Sequence, residues 1–167
     1  AKSSAVTRYI VGRMCSAIAR RLVAQGAEVA GWTRSGRALE GVAQAPDLAT
    51  LVSRSDVLIL SLFDDAAVAE MLDALLRYDL SGRLILETST VVPQILIERA
   101  EAFAKMGAQV ADAPISGGPE MVAAGSCGIF VGAAPEVADR AVAVLRGLTP
   151  RVLHMGRLGA GMVMKTI

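Results

Sequence analysis

Several stretches place side chains that could do chemistry. In Asp112-Ala113-Pro114-Ile115-Ser116-Gly117-Gly118-Pro119 a hydroxyl stands beside two adjacent glycines. Glycine tolerates positive φ and lets a ligand approach the backbone, the serine hydroxyl donates or accepts, and neighbouring amides can form a nest for an anion. The stretch reads as a grip for a small carboxylate or phosphate, made by Ser116 and the amides near Gly117 and Gly118, or as an ordinary strand-to-helix turn. Lys165 sits among Met162, Val163, Met164 and Ile167. Apolar surroundings lower a lysine pKa toward the range of an acid–base catalyst, whereas a solvated lysine only snorkels. In Glu87-Thr88-Ser89-Thr90-Val91-Val92-Pro93, hydroxyls follow an apolar run and precede a proline. They can meet a ligand at a strand end or cap the next helix.

Two further stretches could hold a nucleotide. After the first apolar run, Ile10-Val11-Gly12-Arg13-Met14-Cys15 keeps one glycine of the GxGxxG dinucleotide fingerprint. Gly12 is the middle one, where a backbone approaches a pyrophosphate at a helix N-terminus; Ile10 and Cys15 occupy the outer positions. Thr33-Arg34-Ser35, with Arg37, stands where an NAD enzyme usually carries an acidic residue for the ribose. Guanidinium groups beside hydroxyls suit a 2′-phosphate, which favours NADP over NAD; a solvated polar turn is the alternative. His154, the single histidine, has no sequence-local partner, and Asp64-Asp65 reads as a helix cap. No metal-ligand cluster is evident.

The elements that must position these residues alternate between strand and helix. Strands are expected at Ala5 to Ile10, Ala27 to Trp32, Val57 to Leu62, Leu84 to Glu87, Ala108 to Val110, Ile129 to Val131 and Val152 to His154. Helices are expected after Met14, over Ala38 to Ala45, from Asp47 to Ser53, and from Asp64 to Tyr78. Others run from Pro93 to Met106, Pro135 to Leu148 and Leu158 to Ile167. This alternation predicts an α/β fold: a doubly wound, mostly parallel sheet, Rossmann-like, with helices on both faces in three layers. Such a sheet binds its ligand at the carboxyl ends of its strands.

Composition narrows the classes. The 167 residues are 53% apolar, enough for one core. No run approaches the roughly 18 apolar residues of a membrane span, and the beginning lacks the apolar segment of a signal peptide. A net charge of +1 with both signs interspersed and six aromatic residues gives nucleic-acid binding no support. Two distant cysteines argue against a disulfide framework and for a reducing, cytoplasmic setting.

Taken in order, Gly12-Arg13-Met14, Trp32-Thr33-Arg34, Leu62-Phe63-Asp64-Asp65, Ser89 to Pro93, Asp112 to Gly118 with Gly125, and Gly156 to Lys165 resemble the β-hydroxyacid dehydrogenase family. That family includes 3-hydroxyisobutyrate dehydrogenases and tartronate semialdehyde reductases. The resemblance implies that Gly12, Arg13 and Met14 lie along a pyrophosphate loop. Thr33, Arg34 and Ser35 would meet the adenosine ribose, and Leu62, Phe63 and Thr90 the nicotinamide half of NADP or NAD. Ser116, Gly117 and Gly118, with Thr90, would hold a small carboxylate substrate, and Lys165 would be the general acid–base of hydride transfer to or from a 3-hydroxy acid. The chain departs from the family pattern at Ile10, Cys15 and Phe63, where the family carries two glycines and a proline. The family also continues past the lysine with an asparagine, a long helix and an all-α domain. Residues 1–157 are thus expected to form the cofactor domain and 158–167 to begin an interdomain helix, with apolar surface exposed near Met162, Met164 and Ile167. A full-length form is expected to be a homo-oligomer. The competing reading is a non-catalytic nucleotide-binding or interaction module that keeps the fold. Lys165 argues against an imine-reductase-like relative, and a 6-phosphogluconate dehydrogenase reading lacks its substrate residues.

Overall fold

A computed structural model describes residues 6–10, 15–37 and 41–167, with backbone alone at 6–10 and 15. Among these residues the strands are β1 (Val6–Ile10), β2 (Glu28–Trp32), β3 (Ala43–Gln44), β4 (Val57–Leu60), β5 (Leu84–Glu87), β6 (Gln109–Asp112), β7 (Ile115–Ser116), β8 (Gly128–Gly132) and β9 (Arg151–Gly156). The helices are α1 (Cys15–Ala24), α2 (Leu48–Ser53), α3 (Asp65–Leu75), α4 (Gln94–Ile97), α5 (Ala100–Lys105), α6 (Pro119–Ala124), α7 (Pro135–Leu145) and α8 (Ala160–Thr166).

The sheet order is β3-β2-β1-β4-β5-β6-β8-β7, with β9 on the other side of β8. The first six strands are parallel. β8 then runs antiparallel to β6 and β7, and β9 parallel to β8. This 3-2-1-4-5-6 order is that of dinucleotide-binding sheets, and it places the carboxyl ends of β1, β2, β4 and β5 on one edge.

Period-two alternation along the central strands builds two cores. Val57 and Ile59 of β4, with Leu84 and Leu86 of β5, pack against Ile18 and Leu22 of α1 and Ala138, Ala141 and Leu145 of α7. Leu58, Leu60 and Ile85 face the opposite layer with Leu51 of α2, Leu72 and Leu75 of α3, and Phe103 of α5. Both faces are covered, so both residue sets must be apolar. Asp47 and Asp64 cap α2 and α3 by accepting from the amides of Thr50 and Ala67.

Three expectations are corrected. The helix read over Ala38 to Ala45 is not formed at its end: Ala43–Gln44 pairs with β2 as an edge strand, and the Ala45 amide donates to the Gly31 carbonyl. A strand partner was available there, and Pro46 closed off helical continuation. The helix expected from Pro93 to Met106 is two helices. Arg99 lies between them at φ −100°, its guanidinium bonded to Asp73 of α3 and to the Ile95 carbonyl. Met162, expected to be exposed, is 1% exposed, while Met164 and Ile167 are exposed at 37% and 91%. β7, α6 and the antiparallel direction of β8 had no counterpart in the sequence pattern.

Candidate active site

A cavity of about 300 Å³ opens beyond the carboxyl ends of β4 and β5, lined by Ser61, Leu62, Phe63, Thr88, Ser89, Thr90, Ile115, Gly117 and Lys165. The two loops that form it are locked together by their hydroxyls. The amide and the Oγ1 of Thr88 both donate to the Leu60 carbonyl, at 2.8 and 2.7 Å. Ser89 Oγ accepts from the Leu62 amide at 2.7 Å. Thr88 and Ser89 are buried, whereas the next hydroxyl, Thr90, is exposed.

Lys165 reaches that hydroxyl from α8. Its Nζ donates to Thr90 Oγ1 at 2.7 Å and to the Ile115 carbonyl at 2.6 Å. An ammonium has three donors, so two are held and one remains for a ligand in the cavity. Both partners accept, which suits the charged form, but desolvation pushes the lysine pKa below its ordinary value. The Lys165 side chain is half-buried.

The serine-glycine stretch contributes unevenly. Gly117 lines the cavity, Ser116 and Gly118 do not; Ser116 is exposed at the end of β7, and Gly118 precedes α6 in extended conformation. Gly117 has φ +128°, and a Cβ there would stand 3.0 Å from Met121 Sδ, so this turn requires glycine.

At the other end of the same edge, Thr33 is buried and its Oγ1 donates to the Arg37 carbonyl at 2.9 Å. Ser35 Oγ accepts from the Arg37 amide at 3.4 Å. Arg34 is exposed and ion-paired with Glu70 of α3. Leu62 is half-buried, and Phe63 is 71% exposed at the cavity rim. Gly12, Arg13 and Met14 lie outside the described residues, as do the side chains of Ile10 and Cys15.

Two carboxyls that do not line the cavity, Glu87 and Asp112, have no role legible from their sequence neighbours. Glu87 and Asp112 end the neighbouring strands β5 and β6 in direct register, and both are fully buried. Asp112 Oδ1 accepts from the Gly159 amide at 2.6 Å and Oδ2 from the Met162 amide at 2.8 Å. Burial pushes its pKa up, opposed by these amides. Glu87 has one such partner, the Ser89 amide at 2.8 Å, and its Oε2 has none. Burial, with the Asp112 charge adding to it, raises Glu87 to about 7. Asp112, with both oxygens accepting from amides, is the better-held anion of the pair, and Glu87 keeps its proton up to about 7. The sequence signal was two apolar strands each ending in an acid, Leu-Ile-Leu-Glu and Gln-Val-Ala-Asp.

Residues 11–156 match the family described as the NAD binding domain of 6-phosphogluconate dehydrogenase. The 3-hydroxyisobutyrate dehydrogenase of Pseudomonas aeruginosa is 30% identical over 163 residues, covering 93% of this chain and 55% of its own. The solved 3-hydroxyisobutyrate dehydrogenase of Mycobacterium tuberculosis with L-serine has a TM-score of 0.88 at 28% identity, covering 98% of this chain and 58% of that one. Psf3 in complex with NADP+ and 2-OPP has a TM-score of 0.88 at 28% identity, with 96% and 60% covered. The chain spans about half the length of the curated relatives it matches.

Proposed function

The chain belongs to the family of the NAD binding domain of 6-phosphogluconate dehydrogenase, and we propose that it is the cofactor-binding part of an oxidoreductase acting on a small 3-hydroxy acid or its semialdehyde. The observation that carries this reading is the Lys165 ammonium, held between Thr90 Oγ1 and the Ile115 carbonyl in the wall of a cavity at the carboxyl edge of the sheet.

A bound nicotinamide dinucleotide would supply the hydride. The described residues fit one. The cavity combines apolar Leu62 and Phe63 with the hydroxyl of Thr90, which suits a flat ring bearing an amide. Arg34 offers an exposed guanidinium beyond β2, and its surface pair with Glu70 can be exchanged for a phosphate. This supports NADP as the preferred cofactor, with NAD as the other. Thr33 and Ser35 shape that turn from within, and Gly12, Arg13 and Met14 would follow the pyrophosphate.

In the reducing direction Lys165 gives its proton to the substrate carbonyl oxygen. In the oxidising direction it accepts the hydroxyl proton. Its lowered pKa brings both states nearer the working pH. Thr90 and the Ile115 carbonyl orient Nζ and keep it from swinging to solvent. Gly117, bordering the cavity with its positive φ, brings backbone close to the substrate, and the Ser116 to Gly118 turn is the proposed grip for its carboxylate. Residues 1–157 are proposed as the cofactor domain and 158–167 as the start of a helix leading to a further domain, in a protein that assembles as a homo-oligomer.

Calorimetric titration with NADPH and with NADH tests the reading. Binding of either, tighter for NADPH, is expected. Absence of binding for both would remove the dehydrogenase reading from this chain and leave a non-catalytic module with the same fold.

A further inference from the structure

We propose that Asp112 is the positioning residue of Lys165: its carboxylate grips the first turn of α8 and thereby fixes Nζ at Thr90 and Ile115. The proposal rests on the acid–base role given to Lys165 above.

A helix begins with amides that have no intrahelical acceptor. Asp112 takes two from the entry to α8, Gly159 at 2.6 Å and Met162 at 2.8 Å, using both carboxylate oxygens. Charge-assisted bonds of this kind are short and directional. The seat beneath the turn leaves no slack. A Cβ on Gly161 would lie 2.2 Å from the Phe130 carbonyl oxygen, and one on Gly132 would lie 2.2 Å from Asp112 Oδ1 and 2.8 Å from the Ala160 amide. Helix and sheet therefore touch backbone to backbone, with the carboxylate between them. Within α8 only Gly161 and Met162 are buried, so the helix is held to the domain at its first turn.

Gly161 and Lys165 are four residues apart and share one face of the helix. Gly161 rests on Phe130 of β8, and Lys165 bonds the Ile115 carbonyl of β7. Those strands are paired, with the Phe130 amide donating to the Pro114 carbonyl at 3.3 Å. Seat and target belong to one hydrogen-bonded unit, and Gly161 and Lys165 are about 6 Å apart along the helix axis. A rotation or lift of the first turn is transmitted to Nζ. Neither contact of Lys165 involves Asp112 itself, so Asp112 acts through the helix.

The test is Asp112→Asn, which keeps the shape but can accept from only one of the two amides. The readout is the titration midpoint of Lys165, followed by 13C NMR of labelled lysine. The chain has three lysines, Lys2, Lys105 and Lys165, and Lys165→Arg assigns the signal. The wild-type midpoint is expected below that of an exposed lysine, about 10.4, and Asp112→Asn is expected to raise it toward that value. A folded Asp112→Asn protein with an unmoved midpoint overturns the proposal. Gly132→Ala displaces the same turn with the carboxylate intact and is expected to raise the midpoint as well; no change in the folded variant also counts against it. Should neither variant fold, amide exchange in the unaltered chain decides. Gly159 and Met162 protected like β5 and β6 support the grip, and exchange at exposed-backbone rates overturns it. These readouts need no turnover, so a wild type that binds no nucleotide yet shows the midpoint shift defeats the functional reading and leaves the positioning intact.

Discussion

Glu87→Gln should change how stability depends on pH. Glu87 is fully buried at the end of β5, with one oxygen unpartnered and its pKa raised from the ordinary 4.5 to about 7 by burial. Unfolded, the group loses its proton near 4.5; folded, it keeps it to about 7. Between these values the folded chain binds the extra proton, so rising pH favours unfolding. The contribution is fully present below 4.5, is lost through the window, and stays lost above about 7. At about 1.4 kcal/mol per pH unit the whole loss is about 3 kcal/mol, a large part of a domain's stability. Asp112 is also raised by burial and adds a loss of the same sign in its own window. Glutamine cannot ionise, so the Glu87 share disappears. Urea unfolding at pH 5 and pH 8 measures it: the unaltered chain is expected to lose about 2 to 3 kcal/mol between them, and Glu87→Gln clearly less. Equal losses in both proteins would refute the assignment of the proton to Glu87, and a flat wild-type profile would refute the burial argument altogether.

Other outcomes follow from the same geometry. Lys165→Ala in a full-length protein should cut turnover by about 10² to 10⁴-fold while cofactor affinity by calorimetry stays nearly unchanged; retained turnover excludes the acid–base role. Arg34→Asp should weaken NADPH more than NADH, and Glu70→Gln, which frees Arg34, should strengthen NADPH; equal effects on both nucleotides would remove the 2′-phosphate argument. Gly161→Ala forces a methyl to 2.2 Å from the Phe130 oxygen and should cost about 1 to 3 kcal/mol in thermal unfolding. The pH–rate profile for reduction should lose activity on its alkaline side below the 10.5 of an ordinary lysine, because desolvation lowers Lys165.

The fold was legible because the central strands are buried on both faces. Val57 to Leu60 and Leu84 to Leu86 are unbroken apolar runs, and only a covered parallel sheet accommodates them. Asp47 and Asp64 announced their helices by ordinary capping. The third quarter of the chain was harder. β7 is two residues long and α6 six, too short for periodicity to register. The antiparallel turn of β8 is set by long-range pairing that no local pattern encodes. Lys165, Thr90 and Gly117 were each readable as polar or glycine residues near strand ends. Their convergence came from the family resemblance and not from local spacing, because Thr90 and Lys165 are joined only by the seating of α8 across β8.

That seating explains the division of labour between the two halves of the sheet. The parallel strands β1 to β6 bring their carboxyl ends to one edge, where a fold of this kind binds its nucleotide. They do not by themselves bring Lys165 to it. The reversal at β7 and β8 does so, because it lays Phe130 and Gly132 flat beneath α8 and turns the Ile115 carbonyl toward Nζ. Asp112 stands where the two halves meet: it is the last residue of the parallel set and the one register partner between β6 and β8. A buried anion there is costly unless it is well bonded, and the Gly159 and Met162 amides at the entry to α8 bond both of its oxygens. Burial raises the pKa of Glu87 beside it to about 7, which disfavours a second charge at the same place. Asp112 therefore bonds the helix that carries Lys165 from outside the cavity lining, and this is why two acids one strand apart were harder to interpret from sequence than Ser116, Gly117 and Gly118.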